Sequence, residues 1–139
     1  KHPNYLYIYP VHLNPNVHSI VSEKLSGISN VRLMKPQSYV DFIYLMQHSC
    51  VILTDSGGVQ EEAPSLQKSI LVMRESTERP EGIAAGCSKL VGVNVQQIVS
   101  EIERLLSDTD YYSSFAVAEN PYGDGNASGR ILRFIEQLA

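Results

Sequence analysis

Tryptophan is absent from this chain of 139 residues, and cysteine is nearly so, with Cys50 and Cys87 its only two examples. They are not in a Cys-x-x-Cys arrangement, and each sits beside or inside an apolar stretch. Both are therefore expected to be structural thiols behaving as small buried hydrophobes. Long apolar runs are missing too. None approaches the roughly 18 residues that a membrane-spanning helix needs, and the first residues lack the basic-then-apolar pattern of a signal peptide. A cytoplasmic protein with no membrane partner is the expectation. No basic cluster exists: 11 Lys and Arg stand against 15 Asp and Glu, a net charge of −4. That balance argues against nucleic acid, whose phosphate backbone is bound through many cationic contacts. His2, His18 and His48 show no metal-ligand spacing, and neither metal nor cofactor is expected. Repeats and low-complexity segments are absent. Asn126-Ala127-Ser128 matches a glycosylation sequon but reads as a helix cap.

What is present is an ordinary globular composition, 43% hydrophobic and 19% charged. It suits a single domain over residues 1–139, large enough for a real core. Strand-like and helix-like segments alternate. Tyr5–Val11, Val31–Met34, Val51–Thr54, Ser69–Met73 and Lys89–Val91 read as strands. Val17–Leu25, Tyr39–His48, Gly58–Leu66, a turn at Glu81–Ala85 and the strongly amphipathic Val95–Leu106 read as helices. Two further helical segments flank the loop Asn120-Pro121-Tyr122-Gly123-Asp124-Gly125, whose proline and glycines oppose continuous helix. Such alternation predicts an α/β fold with a Rossmann-like parallel sheet and helices on both faces.

Chemistry concentrates in Leu53-Thr54-Asp55-Ser56-Gly57-Gly58-Val59-Gln60-Glu61-Glu62-Ala63-Pro64. An apolar, β-branched run ends in two glycines that open a helix. Ser56, Gly57 and Gly58 would present unobstructed N–H groups where orphan donors and the helix dipole favour an anion. Glu62, four residues after Gly58, lies one turn deeper on the same helical face. A carboxylate there is suited to ribose hydroxyls, not to phosphate. Pro64 should end or kink this helix early. A lone Gly-Gly is usually only a tight turn, but the paired glutamates and the loop Arg74-Glu75-Ser76-Thr77-Glu78-Arg79-Pro80-Glu81 are hard to explain as packing. Together they read as a nucleotide-sugar pocket. Ligands of open α/β sheets sit beyond the carboxyl ends of the strands, and the polar segments at His12 and Asn14, Gln37, Ser56–Gly58 and Glu75–Arg79 each follow a strand.

Several motifs in this order make the chain resemble the C-terminal domain of the non-hydrolysing bacterial UDP-N-acetylglucosamine 2-epimerases. They are Tyr9-Pro10-Val11-His12-Leu13-Asn14-Pro15-Asn16, Pro36-Gln37-Ser38-Tyr39, Thr54 to Leu66, Thr77-Glu78-Arg79-Pro80-Glu81 and Asn120 to Gly125. The resemblance implies half of a two-domain GT-B-type architecture that lacks the first strand of its domain. Exposed strand edges, and association or poor solubility, would follow. It also implies partners: UDP-N-acetylglucosamine or UDP, an absent N-terminal domain, and a homodimer of the full-length protein. Cell-envelope polysaccharide synthesis is the implied setting.

Candidate ligand contacts are Gln37, Phe42, Ser56, Gly57, Gly58, Glu62, Arg79 and His12. Gln37 offers the donors and acceptor that read a uracil edge, although chemistry alone equally allows a surface loop glutamine. Phe42 has helical spacing with Leu45 and Met46 that favours core packing; the resemblance assigns it to the base. Arg79 can neutralise phosphate through its fork or form a surface pair with Glu78 or Glu81. Arg74 is expected to pair with Glu75 or Glu61. His12 would donate to a ligand or fix its own loop. The implied reaction removes the C2 proton, eliminates UDP to a glycal, and adds UDP back after reprotonation on the opposite face. No catalytic acid or base is assigned to this chain, so alone it is expected to be inactive. Alternatives are a GT-B glycosyltransferase domain, a hydrolysing 2-epimerase, or a binding-only remnant.

Overall fold

A computed structural model of the chain describes residues 2–116 and 119–138. Contacts divide it into two compact units, Lys1–Leu45 and Met46–Ala139.

In the first unit, β1 (Tyr7–Pro10) pairs in parallel with β2 (Val31–Met34), in a register running from Tyr7 opposite Val31 to Pro10 opposite Met34. The Val11 N–H extends this ladder to the Met34 carbonyl at 2.8 Å. The crossover is α1 (Pro15–Leu25), whose start is written in the sequence. Asn14 accepts from the Asn16 N–H at 3.0 Å as the cap, and Pro15 occupies the first helical position, where no N–H is needed. Beyond β2, α2 (Tyr39–Gln47) runs across the division between the units. Strand β1 is shorter than the expected Tyr5–Val11, because ladder pairing begins only at Tyr7.

The second unit holds β3 (Val51–Thr54), β4 (Ser69–Val72) and β5 (Ser88–Leu90), all parallel in the order β3-β4-β5. The strands thus pair as two sets rather than one. Central β4 is buried at every position, as expected of a parallel strand covered on both faces. Leu71 packs with Val91, Leu105 and Phe115, flanked by Ile98 and Ile102 of α5 (Val95–Ser107). Burying each such side chain contributes about 1.5–3 kcal/mol. Asn94 caps α5 by accepting from the Gln97 N–H at 3.1 Å. The short α6 (Thr109–Ser113) carries Tyr111, whose ring meets Phe115 edge-on at 5.4 Å between centroids.

Pro64 does shorten the motif helix. Helix α3 (Gly57–Glu62) gives way to a 3-10 turn over Ala63–Leu66, since proline cannot donate the next helical hydrogen bond. Helix α4 (Pro80–Ala84) follows the arginine loop, and α7 (Ala127–Glu136) leaves Ile131, Leu132, Phe134 and Ile135 exposed.

Three expectations need correction. Cys50 is exposed, while Cys87 is buried; Cys50 sits just before β3, outside the layer that encloses the strand. Arg74 pairs with Glu78 at 2.9 Å instead of Glu75 or Glu61. Asn126 precedes α7 without capping it through its side chain, which donates to the Asp124 carbonyl at 3.3 Å. Among the described residues, no helix is long and apolar enough to cross a membrane, and no group of three or more His, Cys, Asp or Glu is placed to hold a metal ion.

Candidate functional site

Ser56, Gly57, Gly58, Glu62 and Arg79 all belong to the second unit. Ser56 caps α3, its hydroxyl facing the Val59 N–H at 3.5 Å, while its own N–H donates to the Thr54 hydroxyl at 3.0 Å. The turn between β3 and α3 is therefore fixed from both sides. A Cβ added at Gly57 would stand 3.5 Å from Nη2 of Arg79, whereas one at Gly58 would meet only the Ser56 hydroxyl at 3.9 Å. The guanidinium thus stands over the glycine turn, although twenty-two residues separate Arg79 from Gly57 in sequence.

Arg79 does not float there. Its Nε donates to the Glu61 carboxylate in a short contact, and Nη1 lies 4.0 Å from a carboxylate oxygen of Glu78. The bond to Glu61 pushes the guanidinium further up, against the opposing pull of desolvation. Glu78 in turn receives Nη1 of Arg74 at 2.9 Å. Its carboxyl is held below the ordinary value, first by a backbone hydrogen bond and then by Arg74. The expected surface pair of Arg79 with Glu78 is thus joined by a closer one with Glu61.

Glu62, half-buried at the end of α3, faces a cleft of about 470 Å³ lined also by Glu61, Ser65, Asn120 and Tyr122. Tyr122 reaches the arginine loop: its hydroxyl donates to the Arg79 carbonyl at 3.1 Å and accepts from the Gly82 N–H at 2.8 Å. Asn120 donates to the Glu61 carbonyl at 2.9 Å and to the Ser65 hydroxyl at 2.7 Å. Sequence reasoning assigned no role to Gln60, Asn120 or Tyr122, and it offered Glu61 only as a partner for Arg74. The Asn-Pro-Tyr-Gly-Asp-Gly loop was visible as a motif, but nothing in it names a partner some forty residues away.

His12, Gln37 and Phe42 lie in the first unit, the first two in loops leaving the carboxyl ends of adjacent parallel strands. His12 is exposed, and its Nδ1 accepts from the Asn14 N–H at 3.1 Å. A neutral ring that accepts at Nδ1 carries its proton on Nε2. Gln37 folds its amide onto the Lys35 carbonyl at 2.5 Å, leaving its oxygen as an acceptor. Phe42 is half-buried on the first turn of α2.

Comparisons with known proteins show what the chain is similar to. The sequence model of the UDP-N-acetylglucosamine 2-epimerase family matches residues 1–136. The Yersinia pestis UDP-N-acetylglucosamine 2-epimerase is 54% identical over 136 residues, 98% of this chain and 36% of the relative. The enzyme of Escherichia coli K12 is 53% identical over 135 residues, 97% of this chain and 36% of its own length. Among solved structures, the Neisseria meningitidis UDP-GlcNAc 2-epimerase bound to UDP-GlcNAc superposes with a TM-score of 0.93 at 48% identity, covering 98% of this chain and 37% of that one. A Staphylococcus aureus MnaA–UDP co-structure gives 0.89 at 43% identity, covering 96% of this chain and 36% of that one. This chain spans little more than a third of the length of the relatives it matches. With the glycine turn, the arginine above it and the sequence model matched over nearly all its residues, the chain belongs to the UDP-N-acetylglucosamine 2-epimerase family.

Proposed function

We propose that this chain is the part of a UDP-N-acetylglucosamine 2-epimerase that holds the UDP moiety while the sugar is inverted at C2. The observation that carries it is Arg79 standing over the Gly57 position, at the start of the helix that ends in Glu62. The backbone of Ser56–Gly58 and the Arg79 fork would take the diphosphate, and the Glu62 carboxylate the ribose hydroxyls. Gln37 would read the uracil edge, Phe42 would pack on the base, and His12 would donate from Nε2. UDP bound in the Staphylococcus aureus co-structure supports the ligand class.

In the reaction, C2 loses its proton and the C1–O bond breaks, releasing UDP and a glycal. Protonation of C2 from the other face then accompanies re-addition of UDP. Retaining UDP throughout prevents loss of the intermediate to water. The acid and base groups are not assigned to these 139 residues, so we propose that the chain alone binds without turnover and that the whole protein works as a homodimer.

Calorimetric titration with UDP tests this, alongside Ser56→Trp, which blocks the turn, and Glu62→Ala, which removes the ribose acceptor. Saturable binding is expected, abolished in the first variant and weakened about tenfold or more in the second, as for loss of a charged hydrogen-bond acceptor. A folded chain that takes up no UDP would overturn the assignment. Conversion of UDP-N-acetylglucosamine by the chain alone, followed by NMR, would overturn the division of labour.

A further inference from the structure

Both backbone polar groups of Arg79 are held by side chains, the N–H from within its own loop and the carbonyl from a loop forty-three residues away. On the amino side, the Arg79 N–H donates to the Thr77 hydroxyl at 3.1 Å, and that hydroxyl donates to Oε1 of Gln60 at 2.8 Å. Nε2 of Gln60 donates to the Ser56 carbonyl at 3.2 Å. Gln60 is fully buried, and one amide therefore joins the glycine turn to the arginine loop. A buried amide with either end unmatched would be costly, so the two loops are fixed as a pair. On the carbonyl side stands Tyr122. Its hydroxyl bridges the Arg79 carbonyl and the Gly82 N–H, the latter an orphan donor in the first turn of α4. A Cβ at position 82 would lie 2.6 Å from the tyrosine oxygen and 2.9 Å from the Ser88 hydroxyl, so a side chain there would displace Tyr122 from its bridge. Asn120 anchors the tyrosine's loop to Glu61 and Ser65, and its Oδ1 accepts from the Tyr122 N–H at 3.0 Å.

Resting on the nucleotide-sugar reading above, we propose that Gln60 and Tyr122 are positioning residues that set the Arg79 guanidinium over the glycine turn for the diphosphate. The three consecutive residues 60–62 then divide the work. Gln60 fixes the loop, Glu61 orients the guanidinium through Nε, and Glu62 faces the cleft. The Asn120–Gly125 loop acts as a brace for the phosphate end of the pocket rather than as part of the base site.

Tyr122→Phe removes one oxygen and little else, and Gln60→Met keeps the volume of the buried side chain. Binding of UDP and of uridine to the 139-residue chain would be followed by NMR titration, with amide hydrogen exchange on the same samples. UDP affinity should fall about tenfold in either variant, the scale of one lost hydrogen bond to a positioned group, with uridine affinity unchanged. In an Arg79→Ala background, Tyr122→Phe should have no further effect on UDP. The Arg79 and Gly82 amides should exchange at least about tenfold faster in Tyr122→Phe, with β4 unaffected. Equal losses of UDP and uridine, or UDP affinity left at the unmodified level, would overturn the proposal. If the unmodified chain bound no UDP, the nucleotide reading would fail separately. Exchange at Arg79 and Gly82 unchanged by the substitution would then still refute the brace.

Discussion

Strands β1 and β4 are each four residues long, parallel and mostly apolar, yet they live in different surroundings. Ile70, Leu71 and Val72 of β4 are 0% exposed, whereas Tyr7, Ile8 and Tyr9 of β1 are 39%, 42% and 40% exposed. The difference is one of neighbours. Strand β4 has a partner on each edge and α5 behind it, while among the described residues β1 pairs with β2 alone. Apolar sequence invites burial but does not supply it, and a two-stranded sheet is only marginally stable by itself. The motif proposed to hold UDP grows from the unit that carries the buried strand.

The largest expected contrast comes from truncating the two strands. Leu71→Ala should lower stability by about 2–5 kcal/mol, the cost of a cavity in a tight core. Ile8→Ala should cost under about 1 kcal/mol, because much of that side chain already meets water. Urea unfolding followed by far-UV circular dichroism would measure both, and equal losses would erase the distinction. Next in size are the helix caps. Asn94→Ala should cost about 1 kcal/mol, since α5 packs on the core. Asn14→Ala removes a cap from α1, which buries none of its residues, and should shift the same transition by only a few tenths of a kcal/mol.

The smallest effect is electrostatic. Lys89 donates to Glu101 at 2.7 Å, and Tyr111 donates to the same carboxylate at 2.7 Å. Burial works to raise the Glu101 carboxyl, but these hydrogen bonds hold it below its ordinary value. The unfolded chain therefore takes up this proton first as pH falls. The pair's stabilisation, under about 1 kcal/mol, is present above pH of about 4.3 and is lost as pH drops through the folded value. Comparing Glu101→Gln with the unmodified chain between neutral and acidic pH should show a gap that narrows below about pH 4. A constant gap would remove this contribution from the second unit's advantage.

Much of the fold was legible because it is local. Val31–Met34 and Val51–Thr54 occur where β-branched and aliphatic runs place them. The period of α5 carried it from Val95 to Ser107, one residue beyond its expected end, and Pro64 announced the break after α3. Pairing was less legible. That Arg74 turns to Glu78 and Arg79 to Glu61 depends on the path of the loop after β4, which residue type does not encode. Tyr122 was hidden for the same reason: its partner Gly82 is forty residues away, and only the folded chain brings them to 2.8 Å. Gly82 was the available clue, as a glycine inside a short helix that α-helical preference does not explain.

The unequal burial of the two cysteines gives the chain a natural attachment point. Burial pushes the Cys87 thiol up and keeps it out of reach, while Cys50 stands exposed immediately before β3. A maleimide dye should therefore label a single position, just ahead of the strand that leads into the glycine turn. The same exposure lets two copies cross-link through Cys50 in air, so a reductant belongs in every preparation.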